Sequence, residues 1–252
     1  MIIVGDIGNT ETKICLINSK NKIVKRFNLK SKNINFSLLK KIFKKTKYNK
    51  TDVKKCLFSS VVPKTFNTIK YYFEKFYIVK CFELKNLPLN KLIKIKVNKK
   101  QVGSDRIANA LGVLSKNKNY IILDFGTATT FDVLINNVYH GGVIAPGVNL
   151  SVEALYMATA RLPRIAVKPW RADMPVLGTD TVSAMHSGVF WGYVGMVEGL
   201  LGRLRQAHGA ALPAIATGGL ARLFAEHIDD SLIVDADLTL KGLVRIHAQN
   251  NI

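Results

Sequence analysis

Residues 121–136 read IILDFGTATTFDVLIN, and this stretch predicts the fold of the whole chain. Its apolar start, Ile121 to Leu123, has the length of a buried strand and leads directly into Asp124. The small, hydroxyl-bearing residues that follow indicate a tight turn, and Phe131 to Ile135 has the composition of a second strand. The pattern therefore predicts two strands joined by a short turn, with an acidic residue beside the turn.

The same pattern occurs at the beginning of the chain, 118 positions earlier. This shift aligns Asp6 with Asp124 and Gly8 with Gly126, and it also aligns apolar residues of the second strand. Two copies of a strand, acid, turn and strand, half a chain apart, indicate a duplicated domain with a site between the copies.

The first of these turns predicts a pair of opposite charges. A two-residue turn at Asn9-Thr10 would place Asp6 directly opposite Lys13. Directly opposed residues share one face of a sheet, so the carboxylate and the ammonium group would lie side by side. The second copy has Phe131 where the first has Lys13. The two turns are therefore not expected to do identical work.

Length alone leaves the number of domains open, and the repeat decides it. The 252 residues allow one large domain or two, and the repeat favours two, at 1–117 and 118–252.

The start of the chain lacks a basic segment and a long apolar region, so we expect no signal peptide. The three cysteines, at positions 15, 56 and 81, form no Cys-x-x-Cys pair. This pattern favours the reducing cytoplasm over a disulfide framework or a zinc site.

The net charge of +20 is concentrated in one half, because residues 1–119 carry +22 and residues 120–252 carry −2. One interpretation is a basic domain that binds polyanions such as nucleic acid. The lysines are spread through every predicted element without interleaved stacking aromatics, which favours a compositional bias and no specific nucleic-acid partner. The abrupt change between Lys118 and Glu153 also leaves a chimeric origin open.

The remaining segments predict a mixed sheet flanked by helices. In the first half we predict strands at Ile2–Val4, Lys13–Ile17, Ile23–Phe27, Cys56–Val62 and Ile78–Leu84, and helices at Leu38–Phe43 and Phe66–Phe76. In the second half we predict a glycine-rich bend at His140–Gly147, a strand at Ala214–Ala216, and helices at Ser151–Ala160, from Thr181 to about Ala207, and at Leu220–His227.

The long helix carries five glycines spaced at alternating intervals of four and three residues: Gly188, Gly192, Gly195, Gly199 and Gly202. Each costs about 1 kcal/mol relative to alanine, so close contact with another helix is the expected compensation. A membrane span is the alternative, since small residues at such intervals occur there. His186 and Glu198 argue against it, and we expect no membrane association.

The segment Gly103-Ser104-Asp105-Arg106 precedes a helical pattern and allows two interpretations. Asp105 can simply cap the helix, with Arg106 in solvent. Alternatively, Asp105 can take the proton of an acceptor hydroxyl while Arg106 binds a substrate carboxylate by two parallel hydrogen bonds.

The two turns suit a polyphosphate. Backbone amides of turns form anion-binding concavities, and the sequence has neither a G-x-x-x-x-G-K-[ST] loop nor the protein-kinase motifs. Phosphoryl transfer requires positioning and charge neutralisation. Asp6 is suited to hold Mg²⁺ through water, and Lys13 can neutralise a phosphate oxygen. Thr217-Gly218-Gly219 lies between a predicted strand and a predicted helix. Its two glycines would let a ligand approach the backbone closely, although alone this is a weak signal.

In combination these motifs resemble type III pantothenate kinases over nearly the whole chain, in family order. The motifs are D-x-G-N-T-x-x-K at 6–13, G-x-D-R-x-x-N-A at 103–110, D-x-G-T-A-T-T at 124–130, G-G-x-I-x-P-G at 141–147 and T-G-G at 217–219. The resemblance implies the fold of the acetate and sugar kinase, Hsp70 and actin superfamily, with two ribonuclease-H-like domains around an ATP cleft. It also implies a cytoplasmic homodimer that makes 4′-phosphopantothenate, the first step of coenzyme A biosynthesis.

The resemblance also implies roles for individual residues. ATP would be bound by Asp6, Gly8, Asn9, Thr10, Thr12, Lys13, Gly126 and Thr127. Pantothenate would be bound by Gly103, Ser104, Asp105, Arg106 and Thr181. Asp105 would be the catalytic proton acceptor, Asp6 would hold Mg²⁺, and Asp124 would ligate a monovalent cation, K⁺ or NH₄⁺.

The chain departs from the family where a tyrosine and a proline are usual, because it has Lys96 and Lys99 there. One pantothenate contact is thereby in question.

Two competing hypotheses are a non-catalytic regulatory relative with a basic half that touches nucleic acid, and a sugar or acetate kinase of the same superfamily. The charged residues of the motifs are all intact, which argues against the first: Asp6, Lys13, Asp105, Arg106 and Asp124. The G-S-D-R loop argues against the second, by resemblance.

Overall fold

The computed structural model describes residues 1–46, 48–114, 119–208, 212–228 and 232–250. The strands are β1 (Ile2–Ile7), β2 (Glu11–Ile17), β3 (Ile23–Lys30), β4 (Lys55–Ser60), β5 (Cys81–Glu83), β6 (Lys94–Ile95), β7 (Tyr120–Phe125), β8 (Ala128–Ile135), β9 (Val138–Pro146), β10 (Ala214–Thr217) and β11 (Ile233–Val234). The helices are α1 (Phe36–Lys44), α2 (Pro63–Phe76), α3 (Ser104–Val113), α4 (Val148–Ala158), α5 (Thr181–Ala207), α6 (Ala221–Ile228) and α7 (Leu238–Asn250).

The chain divides by packing into two units. Unit 1 comprises Met1–Ser115 and Asp237–Ile252, and unit 2 comprises Lys116–Ala236. We predicted a boundary at 117/118, which lies outside the described residues. The predicted second domain extended to residue 252, whereas α7 belongs by its contacts to unit 1.

The two units share one topology, which confirms the predicted duplication of a mixed α/β fold. In unit 1 the strands follow the order β3-β2-β1-β4-β5. The first three are antiparallel, and β4 and β5 run parallel to β1. In unit 2 the strands β9-β8-β7-β10-β11 repeat this order and these directions.

Each unit has its own apolar core between sheet and helices. In unit 1, Ile3, Phe58 and Phe73 are fully buried together. In unit 2 the core includes Phe131 and Phe190, which are also fully buried. Truncating a buried phenylalanine to alanine costs about 3–5 kcal/mol, so these residues hold the sheets that carry the turns.

The second hairpin corrects one prediction from the repeat. The residue opposite Asp124 is Thr130, and Phe131 lies opposite Leu123. Three residues separate the last paired residues of this hairpin, Phe125 and Thr129, whereas four separate those of the first hairpin. A shift of one residue in the strand register moves a side chain to the other face of the sheet, so Phe131 lies in the core.

Two other predicted elements differ from the structure. The strand predicted at Ile78–Leu84 is limited to β5, because Ile78 has a positive φ of 57° and is 89% exposed. The predicted bend at His140–Gly147 is instead mostly the strand β9. Its glycines pair with β8 next to a register shift at Val133/Leu134, and Gly141 has a φ of 117°. The glycines therefore serve an irregular strand.

Helix α7 was not predicted, and it packs against α3. A Cβ added at Gly242 would overlap the carbonyl group of Ala108, and one at Gly112 would lie 2.5 Å from Leu238 O. Arg245 donates to Leu111 O at 3.0 Å and also to Leu114 O, which satisfies carbonyl groups at the end of α3. Helix α7 thus supports the helix that carries Asp105.

The long helix α5 begins and ends where it was predicted, with Asp180 as its N-cap. Asp180 Oδ1 accepts hydrogen bonds from the amides of Val182 and Ser183, at 2.9 and 3.0 Å. A Cβ added at Gly188, Gly192, Gly195 or Gly202 would meet no atom of the described chain within 4 Å. The glycine stripe therefore faces away from the rest of unit 2. Among the described residues, no helix combines the length and apolar character that crossing a membrane requires.

Candidate active site

The turn between β1 and β2 holds opposite charges side by side. Gly8 N donates to Glu11 O at 3.0 Å and closes the two-residue turn Asn9-Thr10. The strand register places Asp6 directly opposite Lys13, which confirms the predicted pairing. The turn itself is exposed, whereas the two charged side chains are partly buried. This arrangement presents a carboxylate, an ammonium group and turn amides at one end of the sheet.

Ser31 stabilises this turn, and sequence reasoning missed it, because a small polar residue after a strand is not a specific signal. Ser31 N donates to Thr10 O at 3.0 Å, and its hydroxyl donates to Gly8 O at 2.6 Å. The hydroxyls of Ser31 and Thr12 lie 2.9 Å apart. Thr12 is 0% exposed. Its side chain is therefore part of the support of the turn, and a ligand does not reach it directly.

The turn between β7 and β8 is surrounded by closely packed glycines. A Cβ added at Gly147 would overlap Thr127 O and lie 2.8 Å from Gly126 O. Gly218 has a φ of +93°, and a Cβ there would lie 2.7 Å from Asp124 Oδ1. The structure thus brings the Asp124 carboxylate and the backbone of the predicted T-G-G motif together at one end of the sheet of unit 2.

Tyr193 of α5 ties this turn to the long helix, and sequence reasoning missed it. Its hydroxyl is hydrogen bonded to Thr129 Oγ1, and both side chains are buried. Burial is the main cause that raises the pKa of Tyr193 to about 12, and the nearby Asp124 charge acts in the same direction. The phenol is therefore a neutral hydrogen-bonding group at ordinary pH.

Asp105 lies in the first turn of α3. The N-cap of this helix is Gly103, which makes no side-chain capping bond, so Asp105 is not the cap. Its Oδ1 accepts a hydrogen bond from Arg106 N at 2.8 Å. A Cβ added at Gly103 would overlap this oxygen, which explains the glycine. Burial raises the pKa of Asp105, while Arg106 and more weakly Lys85 oppose the rise.

Ser104 is 1% exposed, and its hydroxyl donates to Glu83 Oε1 at 2.5 Å. The hydroxyl therefore holds the start of α3 in place. Glu83, at the end of β5, is a further residue that sequence reasoning missed. A single acid at the end of a short strand carries no pattern from which this contact follows.

The sequence model of the type III pantothenate kinase family matches residues 2–203. The chain belongs to this family. The match includes both hairpin turns and the Asp105 loop. It identifies the chain as an enzyme that phosphorylates pantothenate in coenzyme A biosynthesis, with ATP as the phosphoryl donor. The hypothesis of a non-catalytic regulatory relative finds no support in these comparisons.

A curated relative shows the same membership across the whole chain. The type III pantothenate kinase of Pelagibacter ubique is 52% identical over 245 residues, which are 97% of this chain and 98% of the relative. This similarity extends over both the lysine-rich half and the half that follows it.

Solved structures share the fold at low identity. A Baf family protein from Campylobacter jejuni has a TM-score of 0.63 and 19% identity, covering 99% of this chain and 100% of its own. An inorganic polyphosphate/ATP-glucomannokinase from an Arthrobacter species has a TM-score of 0.50 and 13% identity, covering 98% and 97%. These similarities confirm the predicted fold of two duplicated α/β domains.

Three further residues of this pantothenate kinase were singled out by the resemblance: Thr181, Lys96 and Lys99. Thr181 is the first residue of α5 and is exposed. Lys99, where the family usually has proline, donates to Leu87 O at 3.3 Å. Lys96 is exposed. Lys99 therefore fixes its segment through a hydrogen bond, whereas Lys96 offers only a solvated side chain in place of the tyrosine.

Proposed function

We propose that Asp105 accepts the proton of the 4′-hydroxyl of pantothenate while the two hairpin turns hold ATP. The observation that carries this proposal is the partly buried Asp105 carboxylate, beside Arg106 and with its pKa raised by burial. A base whose pKa is closer to neutral accepts a proton more readily in the transition state. Arg106 offers a planar pair of donors for the carboxylate of pantothenate.

The first hairpin supports the binding of ATP phosphates. Asn9 and Thr10 lie in an exposed turn whose backbone amides can approach a phosphate, and Lys13 can neutralise a phosphate oxygen. Asp6 would hold Mg²⁺, which neutralises the charge that develops during phosphoryl transfer. The described residues contain no cluster of three or more His, Cys, Asp or Glu side chains suited to a metal. One carboxylate fits Mg²⁺, because this ion is usually bound by few carboxylates, with phosphates and water completing the octahedron.

The second hairpin supports a monovalent cation. The Asp124 carboxylate lies beside Phe125 O, since one Cβ added at Gly218 would contact both atoms. A Cβ added at Gly147 would likewise contact the carbonyl oxygens of both Gly126 and Thr127, so these two oxygens are also neighbours. Carboxylate and carbonyl oxygens are suitable ligands for K⁺ or NH₄⁺, because carbonyl oxygens can replace the hydration shell of such ions. The exposed Thr127 would contact ATP.

The glycine stripe of α5 supports a homodimer. Four of its five glycines are exposed and leave a smooth helix face with no described neighbour: Gly188, Gly192, Gly195 and Gly202. Helical periodicity places Thr181 on the same face. A two-fold axis would let this face meet itself in a second copy. Dimerisation would then bring the start of α5, with Thr181, next to the partner and complete the pantothenate site.

The location that we propose is the cytoplasm. Cys15, Cys56 and Cys81 are all buried free thiols, a state that a reducing compartment maintains. Burial raises the pKa of the Cys15 and Cys56 thiols, which makes them poor nucleophiles and argues for a structural role.

The experiment that tests this function is an acceptor panel in a coupled assay of ADP release. Pantothenate, N-acetylmannosamine, glucose and acetate are supplied separately with ATP and Mg²⁺, with and without K⁺. Of the four acceptors, we expect only pantothenate to be turned over, and we expect K⁺ to stimulate this turnover. Mass spectrometry should show a product that is phosphorylated on the hydroxyl. Turnover with a sugar or acetate instead would refute the proposal.

A further inference from the structure

The loop that leads into Asp105 is held by a lysine from the segment after β5. Lys85 Nζ donates to Lys100 O at 3.0 Å and to Val102 O at 2.8 Å. The ammonium group thus spans the last turn of the loop before Gly103. Hydrogen bonds from a charged donor are stronger than those from a neutral one, so this contact contributes more than an ordinary loop contact.

Glu83 connects this lysine to the start of α3. Its Oε2 accepts a hydrogen bond from Lys85 N at 2.8 Å, and its Oε1 accepts one from Ser104 Oγ at 2.5 Å. One carboxylate therefore fixes both the backbone of Lys85 and the residue that precedes Asp105. The two side chains hold residues 100–104 on both sides of Gly103.

We propose that Glu83 and Lys85 are positioning residues, which set the orientation and the electrostatic environment of the Asp105 carboxylate. The proposal rests on the proposed role of Asp105 as proton acceptor. Because a Cβ at Gly103 would already overlap Asp105 Oδ1, the carboxylate packs directly on the loop backbone. Movement of the loop would therefore move the carboxylate away from the substrate hydroxyl.

The charge of Lys85 gives this arrangement a second effect. Burial raises the pKa of Asp105, and the positive charges that oppose the rise are those of Arg106 and Lys85. The Glu83 carboxylate accepts hydrogen bonds from Ser104 Oγ and Lys85 N, which fix its position. Removing the Lys85 charge therefore raises the pKa of Asp105 further, and the acid limb of the pH–rate profile moves to higher pH.

The test compares three variants of Lys85 in the full chain with one control. Lys85→Met removes charge and hydrogen bonds, Lys85→Gln removes the charge but keeps a donor, and Lys85→Arg keeps both. The control is Lys91→Met, an exposed lysine in the 3₁₀ turn Leu89–Lys91. The measurement is kcat/KM for pantothenate as a function of pH, with circular dichroism to confirm folding.

We expect Lys85→Met to lose roughly 10- to 100-fold in kcat/KM, as the loss of charge-assisted hydrogen bonds predicts. Lys85→Met and Lys85→Gln should both move the acid limb to higher pH, whereas Lys85→Arg and Lys91→Met should keep the parental profile. A parental acid limb in Lys85→Gln overturns the proposal, as does an equal shift in Lys91→Met. If Lys85→Met does not fold, Lys85→Gln decides.

Asp105→Asn separates this proposal from the proposed function. If Asp105→Asn is inactive and the Lys85 variants keep the parental profile, only the positioning role is wrong. If Asp105→Asn keeps parental turnover, Asp105 is not the proton acceptor, and the positioning proposal falls with it.

Discussion

Lys13 lies directly opposite Asp6 in the first hairpin, whereas Thr130 occupies the corresponding place opposite Asp124 in the second. A carboxylate beside an ammonium group forms a neutral pair, in which the carboxylate can hold a metal ion and the ammonium group can bind the phosphate on that metal. The Thr130 hydroxyl adds no positive charge at that position, which suits the binding of a weakly hydrated cation. The difference arises because the second hairpin has one residue fewer between its last paired residues. We infer that this asymmetry separates the two roles.

Alanine variants of the two acids test that separation. Asp6→Ala should abolish turnover, because it removes the carboxylate that is proposed to hold Mg²⁺. Asp124→Ala should retain activity but lose most of its response to K⁺ and require more ATP. Turnover is measured against K⁺ and ATP concentration, with the exposed Asp173→Ala as control. An equal loss of K⁺ response in Asp6→Ala and Asp124→Ala would contradict separate roles.

The raised pKa of Asp105 predicts a stability effect with a defined sign. The folded protein binds this proton more tightly than the unfolded chain, so the contribution of Asp105 to stability is favourable at low pH. It is lost as the pH rises from the ordinary value of 3.8 through the raised pKa. Asp105→Asn should therefore be more stable than the parent at pH 7, and the difference should shrink below 3.8.

Urea denaturation at several pH values measures this difference. A variant that is less stable than the parent at neutral pH would show that the Asp105 carboxylate is stabilised, not strained, by its surroundings.

The same raised pKa should place the acid limb of kcat/KM above the pH at which a free aspartate titrates.

Gly195→Leu tests the dimer face of α5. The added side chain has open space in the single chain, so the fold should remain, and leucine favours a helix over glycine by about 0.8 kcal/mol. Close approach of a second helix would be blocked, so we expect monomers by light scattering and lower activity. Glu226→Leu, an exposed change on the separate helix α6, is the control. A dimeric, fully active Gly195→Leu would place the interface elsewhere.

The excess of +22 in residues 1–119 predicts only weak binding to nucleic acid. Diffuse lysines release counterions without reading bases, so affinity should fall steeply with salt. Fluorescence anisotropy with two unrelated duplexes, from about 0.05 to 0.2 M salt, measures this dependence. Binding that distinguishes the duplexes at about 0.2 M salt would revive the nucleic-acid hypothesis.

The sequence predicted the fold because both hairpins repeat one pattern of apolar residues, acid and glycine. It could not predict the partner of Asp124, since a turn shorter by one residue changes the register without changing the motif. Helix α7 was missed because its contacts, such as Gly242 on Ala108, join segments far apart in sequence. The roles of Ser31, Glu83 and Tyr193 were missed for the same reason: each is defined by tertiary contacts, with no local pattern.

The most direct test of the account is single-turnover phosphorylation of pantothenate by Asp105→Asn at saturating ATP, Mg²⁺ and K⁺. The substitution keeps the shape of the side chain and removes its ability to accept a proton. We expect the rate to fall about 10²–10⁴-fold, with the lower end favoured because the transition state of phosphoryl transfer is loose. ATP affinity, measured by calorimetry, should stay within about twofold of the parent. A parental rate with normal ATP binding would contradict the central claim that Asp105 is the proton acceptor.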